Sequence, residues 1–121
     1  MHQIWNLARF ESNKAIEDEY GNCLSYGQLK SEADKITSQI GRRCLVFSLC
    51  RNEIGSVVGY VSFMNNQIVP VLLNSHMEKE LLKNLLATYE PSYLWVPGEQ
   101  AAHFPEMNVK YEALGYALLE T

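Results

Sequence analysis

The chain has 121 residues, 47% of them hydrophobic, with a net charge of −4 and a pI near 5.3. That length predicts one domain or a piece of one, able to bury a core. The acidic balance, with no basic patch longer than Arg42-Arg43, excludes a general electrostatic affinity for nucleic acid. No run approaches the roughly 18 apolar residues that span a bilayer, and MHQIWNLARFESNK lacks the apolar centre of a signal peptide. The expectation is a cytoplasmic protein without a membrane partner. Cys23, Cys44 and Cys50 form no CxxC pair, so reduced thiols are expected.

In chain order, Ile4 to Phe10 reads as a short amphipathic helix docked on the outside, with Trp5 as anchor. Ala15-Ile16 and Cys23-Leu24 read as two strands of a hairpin turned at Gly21-Asn22. Glu17, Asp18 and Glu19 at its tip read as a solvated surface, because nothing apolar encloses them. Ser25 with Gln28 three residues on makes a capping box, and Leu24 with Leu29 a hydrophobic staple. The helix that follows carries the stripe Leu29, Ala33, Ile36 and Ile40 and ends at Gly41. Arg42 and Arg43 then stand where cations suit the carbonyl end of a helix.

Cys44 to Cys50 is a nearly unbroken apolar run, as in a parallel strand covered on both faces. Ile54, Val57, Val58, Val61 and Met64 recur at helical steps and predict a sheet-facing stripe. Gly55, Ser56, Gly59 and Ser62 fall largely on the other side, which predicts a second element packed close to the helix backbone. Ile68 to Leu73 is the next strand, reached by a right-handed parallel crossover. Ser75 with Glu78 predicts a second capping box, opening a helix whose Leu81, Leu82, Leu85 and Leu86 face the sheet until Pro91 closes it. Tyr93 to Val96 is a further strand, followed by a polar loop or short helix to Pro105. Val109 to Tyr111 and Tyr116 to Leu119 are short strands. The alternation predicts a doubly wound, mostly parallel α/β sheet with flanking helices, residues 1–121 forming a single unit.

Chemistry in such sheets belongs beyond the carboxyl ends of the strands. Two loops qualify, Arg51-Asn52 and Asn74-Ser75-His76, each opening a helix. Glu53 and Glu78 place negative charge in those same turns and predict capped rather than anion-binding ends. No GxGxxG, GxxxxGK[ST] or GxSxG motif is present. His2, His76 and His103 share no metal spacing with the cysteines. Cys44 and Cys50 lie in an apolar strand where a thiolate is costly. Tyr60, Tyr93 and Trp95 read as core rather than as pocket lining. The residues themselves predict no catalytic, cofactor-binding or metal-binding set.

LSYGQLKSEADKI, Leu24 to Ile36, resembles the segment near the start of AMP-forming acyl-adenylating enzymes, a family that includes acyl-CoA synthetases, peptide-synthetase adenylation domains and luciferases. The likeness continues in order through the small-residue-rich helix, NNQIVPVLLN and MEKELLKNLLATYEPSYLWVP, from about Ala15 to Val96. Where the family carries glycine before the second strand this chain has Asn65-Asn66, and asparagine tolerates a left-handed turn. The family's phosphate loop, its adenine- and ribose-binding motifs and its catalytic lysine domain do not occur in the sequence. The resemblance therefore implies an N-terminal scaffold portion of a larger ligase that uses ATP and Mg to make an acyl-adenylate and passes the acyl group to CoA or a carrier thiol. Its partners would be the remainder of its own polypeptide, and the 121 residues alone would be inactive and prone to self-association. Two further readings stand beside it: a stand-alone, non-catalytic α/β interaction module, and a receiver-like or flavodoxin-like domain. The last is the weaker, since no acidic cluster ends the central strand.

Overall fold

A computed structural model describes residues 14–17, 23–51 and 53–121. The expected N-terminal helix around Trp5, the hairpin turn at Gly21-Asn22, and Asp18 and Glu19 lie outside the described residues.

Strands β1 (Lys14–Glu17) and β2 (Cys23–Ser25) pair antiparallel, as the hairpin reading expects. Helix α1 (Tyr26–Ile40) starts on the predicted box: Ser25 Oγ accepts from Gln28 N at 3.2 Å while Gln28 Oε1 accepts from Ser25 N at 2.8 Å. This satisfies two backbone donors that a helix start otherwise leaves open. Its buried residues are Leu29, Ala33, Ile36 and Ile40, and Gly41 closes it at φ 67°. Arg42 and Arg43 are exposed just beyond.

The main sheet holds β3 (Leu45–Cys50), β4 (Val69–Asn74), β5 (Tyr93–Pro97), β6 (Asn108–Ala113) and β7 (Tyr116–Glu120), in the spatial order β4-β3-β5-β7-β6. β3 pairs parallel with both β4 and β5, as the apolar runs predict. β7 pairs antiparallel with β5 and β6, so the sheet is mixed and the expectation of a mostly parallel sheet is corrected. For β6 and β7 the cause is local: Leu114 and Gly115, both at positive φ (56° and 75°), make a two-residue hairpin loop that turns β6 straight back into β7. Parallel pairing would have needed a crossover of a dozen or more residues.

Alternate residues of β5 and β7 divide between two cores. Tyr93, Trp95, Tyr116 and Leu118 join α1 and α2 (Ile54–Asn65) on one face. Leu94, Val96, Ala117 and Leu119 join α3 (Lys79–Tyr89) and the 3-10 helix Gly98–His103 on the other. The sheet is thus covered by helices on both faces.

Helix α2 buries Ile54, Val58 and Val61 of the expected stripe but not Val57. Val57 is 42% exposed, and the residues against the sheet and α1 include Gly55, Val58, Gly59 and Ser62. The glycines are what allow this approach. A Cβ on Gly59 would meet the Trp95 indole, with Cδ1 at 2.6 Å, and one on Gly55 would meet the Tyr116 ring and the Leu114 carbonyl oxygen at 2.9 Å. The close second element expected from the small residues is therefore the sheet itself, joined on the Ser62 side by α1, where Ser62 Oγ donates to Ala33 O at 2.8 Å. After α2 the left-handed residue is Gln67 (φ 60°), not Asn65 or Asn66. The Asn66 amide instead donates to Ser62 O (2.8 Å) and Thr37 Oγ1 (3.0 Å), tying the end of α2 to α1.

β4 is an edge strand. Val69 N–H donates to Cys44 O and Ser75 N–H to Cys50 O, so the odd-numbered residues bond to β3. Pro70 therefore turns its nitrogen to the open edge, where a missing donor costs no ladder bond.

Candidate functional site

The parallel arrangement carries the loops after β3 and β4 to the same end of the sheet. Between them opens a cleft of about 610 Å³, lined by Cys50, Arg51, Leu72, Leu73, Asn74 and His76. Both loops singled out in the sequence therefore meet in one place, apart from Asn52, which lies outside the described residues.

The second loop is not built as expected. Ser75 does not cap α3, whose N-cap is Glu78 without a side-chain cap bond. Asn74 takes over locally, its Oδ1 accepting from His76 N at 2.8 Å in an Asx turn, while the buried Ser75 Oγ makes no hydrogen bond among the described residues. Ser75 is instead held by the β3–β4 ladder through its N–H. Glu80, rather than Glu78, is the acid of the first helical turn.

Arg51 governs the first loop. Its Nη1 and Nη2 donate to the two carboxylate oxygens of Glu99, the second at 3.2 Å, and its Nε lies 2.6 Å from Glu53 Oε1. Hydrogen bonding to Glu99 is the main reason its guanidinium is held even more firmly protonated than usual, and the same bond holds the Glu99 carboxyl below the ordinary carboxylate range. Glu53 therefore does not act as a side-chain cap of α2. It shares Arg51 with Glu99, and the three groups carry one net negative charge.

The loop is also fixed from beneath. Arg51 N donates to Ser56 Oγ at 3.0 Å, Ser56 is hydrogen-bonded to the Tyr116 hydroxyl, and that hydroxyl donates to Leu49 O at 2.9 Å. Burial pushes the Tyr116 phenol up, which keeps it a donor. Trp95 Nε1 donates to Gly55 O at 2.9 Å and the Trp95 and Tyr116 rings stack at 5.2 Å. Trp95 and Tyr93 are core, as read from the sequence, while Tyr60 is half-buried.

In the order β4-β3-β5 the direction of travel reverses between β3 and β5, the position where open α/β sheets hold ligands. Here the Arg51–Glu99 fork spans that position, linking the loop after β3 to the loop after β5. Glu99 was missed in the sequence. The rule that pointed to the loops after β3 and β4 applies equally to Gly98-Glu99 after β5, and would have found it.

These residues do not fit a triphosphate with its metal. The single arginine of the cleft is already matched by two carboxylates. Among the described residues no group of three His, Cys, Asp or Glu is placed to hold a metal ion. Cys50 directs its thiol at the Ser48 carbonyl (3.4 Å) rather than at a base. Burial pushes the Cys44 thiol up, consistent with an inert, packed sulfur. No helix among the described residues is long and apolar enough to cross a membrane.

Compared with protein-family models and with curated proteins, the chain matches none.

Proposed function

We propose that this chain is the doubly wound N-terminal scaffold of an AMP-forming ligase, which activates a carboxylic acid with ATP as an acyl-adenylate and transfers it to CoA or a carrier thiol in the cytoplasm. The observation that carries the reading is the order of elements under the family-like motifs. LSYGQLKSEADKI covers the end of β2 and the capped part of α1, QIVPVLLN runs into β4, and ELLKNLLATYEPSYLWVP covers α3 and β5. The antiparallel β6–β7 hairpin lies outside the residues that carry the resemblance. In this reading the 121 residues supply shape and no catalytic group, because stabilising a phosphate-transfer transition state needs a donor cradle that does not occur among the described residues. ATP, Mg, the acid and the thiol acceptor would be handled by the rest of the polypeptide.

The test is acid-dependent exchange of pyrophosphate into ATP. The 121-residue chain should show neither exchange nor saturable ATP binding. The full product of its reading frame should exchange with at least one carboxylic acid and should lose activity when the phosphate loop expected after Thr121 is deleted. Absence of such a loop, or of exchange across a broad panel of acids, would overturn the proposal.

The second reading, a stand-alone interaction module, would use the edge of the sheet. β4 offers an open edge with Val69 and Leu72 exposed at 47% and 51%, the kind of surface that pairs with another chain. Pro70 opposes simple strand addition there by removing an outward donor. Light scattering at micromolar concentration separates the two: self-association, which Leu72→Lys should abolish where it uses this edge, is expected of the scaffold, and a clean monomer would favour the module.

A further inference from the structure

A second concavity, of about 280 Å³, lies between α3 and the 3-10 helix. Its floor is Met77, Leu82, Leu86 and Phe104, of which Met77 and Leu86 are only partly buried. Lys79 and Lys83 border it on the α3 side, Gln100 and His103 on the other.

The two lysines are placed against ordinary helix electrostatics. Lys79 is the first residue of α3, where a cation opposes the helix dipole, and Lys83 follows one turn later, so two like charges stack at i,i+4. Among the described residues neither has a carboxylate within ion-pair distance. Glu80 shares the rim, and the two lysines and this one carboxylate together still carry one net positive charge. An unpaired cationic rim over an apolar floor is complementary to a molecule with an anionic head and an apolar tail.

We propose that this groove binds an amphipathic monocarboxylic acid of short to medium chain, its tail on Leu82, Leu86, Met77 and Phe104 and its carboxylate between Lys79 and Lys83. The size restricts the tail, since the volume lies just below the usual range of about 300–1,000 Å³ for ligand pockets. The inference rests on this groove and not on ligase activity, so a failed exchange assay leaves it standing.

Titration of the isotopically labelled 121-residue chain with acetate, hexanoate, octanoate and octan-1-ol, followed by amide and methyl NMR shifts, tests it. Affinity should rise by up to about fourfold per methylene from acetate to octanoate, with the shifts centred on Leu82, Leu86 and Phe104. Octanoate should bind at least tenfold more tightly than octan-1-ol, and Lys79→Gln with Lys83→Gln should remove that preference. The two lysines are exposed, so the double variant should fold, which its unchanged amide spectrum away from α3 would verify. Equal binding of octanoate and octan-1-ol, no gain over acetate, or shifts centred elsewhere would each overturn the proposal.

Discussion

On one face of the sheet α2 lies so close that Trp95 and Tyr116 occupy the space where side chains at Gly59 and Gly55 would stand. On the other face α3 buries only Leu82 fully and leaves a groove beside the 3-10 helix. The first contact gives up helix propensity, roughly 1 kcal/mol per glycine against alanine, and gains aromatic packing together with the hydrogen bonds that fix the Arg51 loop. The second keeps an ordinary amphipathic helix and leaves apolar surface partly open. Close packing and hydrogen bonding are concentrated under the cleft at the strand ends, and the open groove beside the 3-10 helix lies on the opposite face.

The largest test of this contrast is Val58→Asp. Val58 is fully buried, and an unpaired carboxylate there should cost several kcal/mol, enough to unfold a domain of ordinary stability. Val57→Asp, one residue along on the exposed side, should change the thermal midpoint only slightly. Equal effects in a circular dichroism melt would mean that α2 is not packed as described. Next in size is Gly59→Ala, where the gain in helix propensity is outweighed by displacement of the Trp95 indole and strain on its bond to Gly55 O. A net loss of about 1–3 kcal/mol by chemical denaturation is expected. Leu81→Ala on the exposed side of α3 should stay within about 0.5 kcal/mol.

What the sequence disclosed follows the same division. The stripe of α1 and its capping box were fully legible, because both depend on residues a few positions apart. The stripe of α2 was legible only in part, since valines and glycines alternate around a helix without a charged residue, and periodicity does not fix where its buried side ends. Ile54, Val58 and Val61 were read correctly and Val57 was not, and the glycine spacing carried the further signal that the helix backbone was being approached. The second capping box failed because Ser75 is still held by the ladder when the chain reaches it, and Leu81 turned outward because α3 buries a narrower stripe than its four leucines suggest. The strand directions of β6 and β7 lay in a two-residue turn. At the cleft, the two loops could be found by topology, whereas the Arg51–Glu99 fork joins residues 48 positions apart and has no local signature.

That fork allows the smallest and most specific test. The Glu99 carboxyl is held below its ordinary range chiefly by its hydrogen bonds from Arg51. A carboxyl whose folded pKa is depressed stabilises the fold above its unfolded value, about 4.3 for glutamate, and the contribution is lost as pH falls through the folded value. Glu99→Gln should therefore lower the melting temperature slightly at pH 7, and the difference from the unsubstituted chain should shrink as the pH is brought from 5 towards 3. Because Glu99 is an exposed partner, about 1 M salt should reduce the difference at pH 7 as well. Glu53 remains beside Arg51 in the variant, so the guanidinium keeps one counter-charge and the effect stays small. A difference that persists unchanged at pH 3 would mean that Glu99 holds the 3-10 helix by packing rather than by charge. The Arg51–Glu99 pair would then not be what holds the loop after β5 to the loop after β3.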